Sequence, residues 1–136
     1  MANLPNALPD PADTDPQETR EWIDALEGVI NQEGPTRAHY LIEKVIGQAR
    51  LQGYRNALIK HGIEWDPSRV KYGDSTMTRG YELCRELLDE KARFSALFSC
   101  NDDMALGASK ALHQAGLRIP QDVSLFGFDD APSAKW

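Results

Sequence analysis

Two apolar runs, each ending in adjacent polar groups, constrain this chain more than anything else in it. The first lies in Phe94-Ser-Ala-Leu-Phe-Ser-Cys-Asn-Asp-Asp-Met-Ala-Leu-Gly-Ala108, the second in Gly116-Leu-Arg-Ile-Pro-Gln-Asp-Val-Ser-Leu-Phe-Gly-Phe-Asp-Asp130. The order reads as a buried strand over Ser95–Ser99, an Asn-Asp turn, a helix through Met104, Leu106, Ala108 and Leu112, a Pro-Asp turn, and a second strand over Val123–Phe128. The strand runs are apolar throughout, as expected where helices cover both faces of a parallel sheet. This is a βαβ unit with polar groups at the carboxyl ends of two strands, the place where open α/β sheets bind ligands.

The preceding residues extend the pattern. Val70–Gly73 reads as a short strand ending in a Gly-Asp turn, and Thr76 or Thr78 caps a helix through Tyr81, Leu83, Leu87 and Leu88. The fold class is therefore α/β, with an incomplete three-stranded parallel sheet and flanking helices. Further toward the N-terminus the character changes. Residues 1–15 hold Pro5, Pro9 and Pro11 with few large apolar groups, and read as a disordered arm. Asp15-Pro16 suits a helix start, with Asp as N-cap and Pro at the first helical position. Trp22, Leu26, Val29 and Ile30 recur at helical spacing up to Glu33-Gly34. Pro35 or Thr36 opens a second helix that continues through Gly47 and Gly53 to about His61, so residues 16–49 are expected to form a helical hairpin.

Several function classes are disfavoured by what is absent. A net charge of −6 argues against a phosphate-backbone binder, which needs a basic patch. Apolar runs are too short to span a membrane, and the start lacks a positive-then-apolar signal pattern, so a cytoplasmic protein is expected. Cys84 and Cys100 do not make a disulfide framework, and no Cys/His spacing suits zinc. His39, His61 and His113 have no nucleophile or acid partner at motif spacing. The expectation is a non-enzyme with no metal and no cofactor. Acidity is concentrated early, in Asp10, Asp13, Asp15, Glu18, Glu21, Asp24 and Glu27, which suits either a basic protein partner or a solvated helix face.

Two families are suggested by longer motifs. Arg50-Leu-Gln-Gly-Tyr-Arg-Asn-Ala-Leu58, His61-Gly-Ile63, Gly73-Asp74, Gly80-Tyr81, and the two runs described above together resemble the lactose/galactose-repressor family. The resemblance implies that residues 50–136 are a truncated ligand-binding subdomain, half of a periplasmic-binding-protein-like fold. It implies a sugar or similar small polar metabolite as effector, held by Arg50, Asn101 and Asp129. Arg50 offers a planar fork of donors, Asn101 both donor and acceptor, and Asp129 two acceptor oxygens. Read from the residues alone, Asn101 instead caps the following helix and Asp129-Asp130 stabilise a turn. The family's DNA-reading helix-turn-helix has no counterpart here, so no direct DNA binding is expected. The strand that precedes Arg50 in the family is also missing, so the sheet either closes over the gap or keeps open edges able to self-associate.

Asp13-Thr-Asp-Pro-Gln-Glu-Thr-Arg-Glu-Trp-Ile-Asp-Ala-Leu-Glu-Gly-Val-Ile30 and Gly34-Pro-Thr-Arg-Ala-His-Tyr-Leu-Ile-Glu43 resemble the extreme N-terminus of homodimeric bacterial pyruvate dehydrogenase. That resemblance implies docking of Asp13, Asp15, Glu18 and Glu21 to a basic subunit-binding domain of the acetyltransferase core, without the enzyme's thiamine diphosphate chemistry. The chain thus reads as a chimera joined near Ala49-Arg50. Three functional readings stand: a weak, non-catalytic effector-binding piece of a transcriptional regulator, an acidic docking module, or an artificial or rearranged fusion with no selected function.

Overall fold

A computed structural model describes residues 13–129, so most of the Pro-rich arm, Asp130 and Trp136 lie outside the described residues. The chain divides into two compact units, Met1–Val45 and Ile46–Trp136.

In the first unit the local signals act as expected. Helix α1 (Pro16–Glu33) starts where the Asp15 carboxylate accepts the Glu18 backbone N–H at 3.0 Å, with Pro at the first turn. It stops at Gly34, whose φ of 88° is costly for any residue with a Cβ. Helix α2 (Pro35–Lys60) begins at the next residue and runs through both interior glycines. Tertiary burial does not follow. No residue of α1 is buried, and Trp22 and Ile23 stay 61% and 53% exposed. The two helices of the expected hairpin are present, but α1 has no closed apolar seam.

The second unit comprises the rest of α2, a 3₁₀ turn over Pro67–Arg69, α3 (Met77–Asp89), β1 (Ala96–Phe98), α4 (Asp102–Gln114) and β2 (Ser124–Phe126). Caps set the starts of the later helices. The Thr76 hydroxyl accepts from Arg79 N–H at 3.1 Å, and Asn101 Oδ1 accepts from Met104 N–H at 2.9 Å. The strands pair in parallel, Leu97 opposite Leu125, with α4 as the crossover. The expected three-stranded sheet is corrected to two strands among the described residues: Val70 is extended, but Val70–Gly73 joins no ladder. The physical reason is a cleft that holds it away from β1, so the interstrand bonds of a ladder cannot form.

The core is Cys84, Ala108, Ala111, Leu112 and Val123, with Tyr81, Leu88, Phe94, Leu97, Leu117 and Leu125 packed on it. Full burial of a side chain such as Leu112 contributes roughly 1.5–3 kcal/mol. Helices α3 and α4 approach closely through Gly80 and Gly107. A Cβ on Gly80 would fall 2.4 Å from the Met104 carbonyl oxygen, and one on Gly107 would fall 1.9 Å from that of Met77. Only hydrogen fits at either crossing, which fixes the α3–α4 layer against which the sheet packs. Among the described residues no helix is long and apolar enough to cross a membrane.

Candidate functional site

The fold brings the carboxyl ends of β1 and β2 beside Arg50 of α2, all within the second unit. Helix α2 carries Arg50 at a position where its guanidinium is only 17% exposed. One arm donates to the carbonyl of Cys100, directly after β1. The other reaches Asp129 Oδ1, after β2, at 2.5 Å. The guanidinium carbon lies 4.4 Å from the centroid of the Phe128 ring, a cation–π contact. A residue fifty positions upstream thus ties the ends of both strands together.

Asp129 is the more accessible partner, its side chain 43% exposed. Its backbone φ is 121°, a region that a residue with a Cβ rarely adopts and that costs on the order of 1–3 kcal/mol. The ion pair with Arg50 helps hold that conformation. Gly127 is required two residues earlier: a Cβ there would meet the buried Asp102 carboxylate at 2.3 Å.

Asn101 lies beside this cluster, but both ends of its amide are engaged. Oδ1 caps α4 at Met104, and Nδ2 donates to the Ser75 carbonyl at 2.8 Å. Ser75 itself has φ 68°, so Asn101 pins a strained turn to the start of α4. Of the three residues named from sequence, Arg50 and Asp129 meet, whereas Asn101 shapes the rim. Sequence reasoning missed the Cys100 carbonyl and Phe128. The carbonyl leaves no mark in a residue pattern, while Phe128 was legible as the aromatic directly before Asp129. Burial pushes the Cys100 thiol above its ordinary pKa, against a smaller opposing effect of Arg50, so it is not poised as a thiolate.

The acidic residues of the first unit have local duties. Asp15 caps α1, and Asp13 Oδ1 accepts from Asp15 N–H at 3.1 Å and from the Thr19 hydroxyl at 3.2 Å. Glu21 accepts from Gln17 at 3.1 Å, and Glu18 sits in the first helical turn, where the macrodipole favours it. All four are exposed. Among the described residues no group of His, Cys, Asp and Glu is placed to hold a metal.

Comparison with known proteins finds two kinds of relative. Residues 15–55 match the family model for the N-terminal domain of the pyruvate dehydrogenase E1 component. A stretch of 93 residues, 68% of the chain, is 43% identical to the HTH-type transcriptional regulator CelR of Thermobifida fusca, covering 27% of that protein. AscG of Escherichia coli is 46% identical over 64% of the chain and 26% of its own length. The chain therefore spans about a quarter of the curated relatives it matches. Among solved structures, a CelR–cellobiose complex covers 63% of this chain and 26% of its own, with 44% identity and a TM-score of 0.61. A sugar-binding regulator of the LacI family from Escherichia coli, complexed with phosphate, covers 63% and 31%, with 46% identity and the same TM-score. Over most of its length the chain is homologous to LacI-family transcriptional regulators, which are not enzymes.

Proposed function

We propose that the second unit is an effector-binding piece of the C-terminal subdomain of such a regulator, and that it takes a sugar or similar small polar metabolite weakly. The observation that carries this reading is the Arg50–Asp129 pair across the two strand ends, beside the ring of Phe128. A guanidinium and a carboxylate present fixed donors and acceptors to vicinal hydroxyls, and an aromatic face covers the apolar side of a sugar ring. The cellobiose bound by the homologous CelR structure supports the ligand class. Weak affinity follows from the opposing use of the same groups: Arg50 and Asp129 are already paired, and a ligand must compete with that bond. Asn101 enters the contact only if its amide exchanges Ser75, so its part is to position the rim.

Isothermal titration of the full chain against a panel of mono- and disaccharides, cellobiose included, tests the proposal. Saturable heat with one sugar, lost in Asp129→Asn and Arg50→Ala variants that keep the far-UV CD spectrum, is expected. Absence of heat across the panel, or binding indifferent to both substitutions, rejects it.

A second reading, docking of residues 13–49 to a basic acetyltransferase domain, is favoured by the family match at residues 15–55 and by the exposed acids of α1. Because Asp13 and Asp15 serve the helix start, their reversal would confound docking with unfolding. Glu18→Lys with Glu21→Lys is the cleaner test, and docking that survives it at low salt excludes the idea. On both readings the chain joins two ancestries within α2.

A further inference from the structure

Strand β1 has one edge satisfied and one not. The Ser95 carbonyl accepts from Ser124 N–H and the Ser99 N–H donates to the Phe126 carbonyl, both at 2.8 Å, so odd-numbered backbone groups point at β2. By the two-residue period of a strand, the N–H and C=O of Ala96 and Phe98 point the other way. Among the described residues the sheet has two strands, and no third one covers that edge. The edge opens into a cleft holding about 1000 Å³ of empty space, mouth included. Across the cleft, where the 3₁₀ turn ends at Arg69, stand the extended Val70 and then Lys71, which bond to no ladder.

The side walls are apolar. Leu97 packs on the core beneath α3 and α4, and Phe98 stacks on Tyr54 of α2 with 5.5 Å between ring centroids. Neighbouring side chains of a strand point to opposite faces, so α2 roofs one face and α3 the other. Leu51 and Tyr54 line the cleft from α2, Leu83 and Leu87 from α3. Its only charged lining residues, Arg69 and Lys71, already face Asp66 at 3.3 Å and Glu90 at 2.6 Å. The cleft therefore offers no unmatched charge to an occupant.

We infer that this cleft is a strand-acceptor site for an uncharged, continuously apolar extended peptide of another polypeptide, inserted between β1 and the Arg69–Lys71 segment. The open backbone edge selects a peptide over a lipid or a small apolar molecule, because only a peptide returns alternating donors and acceptors. Roofing on both faces selects an unbroken apolar run over an alternating one. Balanced wall charges select a strand with no charge inside the cleft. Lining by β1 and by Ser99 and Cys100 directly after it sets its length at about five residues. The cleft meets the Arg50–Asp129 cluster at Cys100, whose carbonyl accepts from Arg50, but the proposal does not depend on sugar binding.

The probe is a soluble peptide, acetyl-Lys-Val-Ile-Val-Ile-Val-Lys-amide, titrated into the full chain by calorimetry and by fluorescence of Trp65, which sits edge-on to Tyr54 at 6.3 Å. One peptide per chain is expected. Binding should weaken at least about tenfold when alternate peptide amides are N-methylated, and similarly in an Ala96→Pro variant that retains its CD spectrum. N-methylation leaves the side chains in place, so it decides the matter even if Ala96→Pro fails to fold. Equal affinity of the methylated peptide, or no saturable binding up to its solubility limit, overturns the proposal. So does a dimer of the chain alone that Ala96→Pro dissociates, since a second copy would then be the occupant.

Discussion

Helices α1 and α4 are both capped, amphipathic and of ordinary length, yet they end in opposite states. In α4 the side chains of Ala108, Ala111 and Leu112 are buried, whereas α1 buries none of its residues. The difference does not lie in the helices' own signals, since Asp15 caps α1 as well as Asn101 caps α4. It lies in what each helix is given to pack on. Helix α4 has Gly107 to admit α3 at backbone distance and a two-stranded sheet beside it. An apolar stripe is a request for a partner, and most helical stability in proteins comes from the partner rather than from propensity.

The sharpest way to break this comparison is to strike equivalent positions in each helix. Leu112→Ala should cost about 3 kcal/mol, and Gly107→Ala a similar amount because its Cβ has no room, both read as a lowered urea midpoint. Trp22→Ala in α1 should change the same midpoint by less than about 0.5 kcal/mol. A large effect at Trp22 would mean that α1 shares the core after all. Variants keeping only Trp22 or only Trp65 sharpen this further: their fluorescence transitions should not coincide, as required if the chain is not one cooperative unit.

A smaller effect is expected at the strand ends. Arg50→Ala strands the Cys100 carbonyl and Asp129, and should cost about 2 kcal/mol, visible in the same unfolding curve. Smaller again is Asp15→Ala, at about 1 kcal/mol of helix stability, read as faster amide exchange at Glu18 and Thr19 with the second unit's midpoint unmoved.

The least effect comes from acid. The Arg118 side chain and N–H hold Asp122 down to a pKa of about 2, below its ordinary 3.8. A depressed carboxylate stabilises the fold above its unfolded pKa, and that contribution is lost as the pH falls from 3.8 through about 2. Both residues are well exposed to screening water, so the change should be slight and confined to the second unit. Asp122→Asn should flatten the stability of that unit across this window while leaving the ellipticity of α1 alone.

Two of the residues at the strand ends were legible in the sequence. Arg50 and Asp129 were named from motif words, and the structure places them in contact. Asn101 was named twice, as ligand and as cap, and its geometry is that of a cap bonded to a strained Ser75. The third strand failed because Val70-Lys-Tyr-Gly73 has the composition of a strand but no neighbour at ladder distance. Composition records a residue's tolerance for extended backbone. Pairing needs a second edge about 5 Å away, and that depends on residues elsewhere.

What the sequence determined by itself is therefore local: the helix starts at Asp15, at Thr76 or Thr78, and at Asn101, the stop at Gly34, and the apolar run of each strand. Each depends on a few neighbours in the chain, with bonds that close within one turn. Tertiary structure alone decided that Gly80 and Gly107 face helix backbones, that Arg50 spans two strand ends, and that, among the described residues, β1 pairs along one edge. Those outcomes depend on distances between residues far apart in sequence, and no spacing rule carries them.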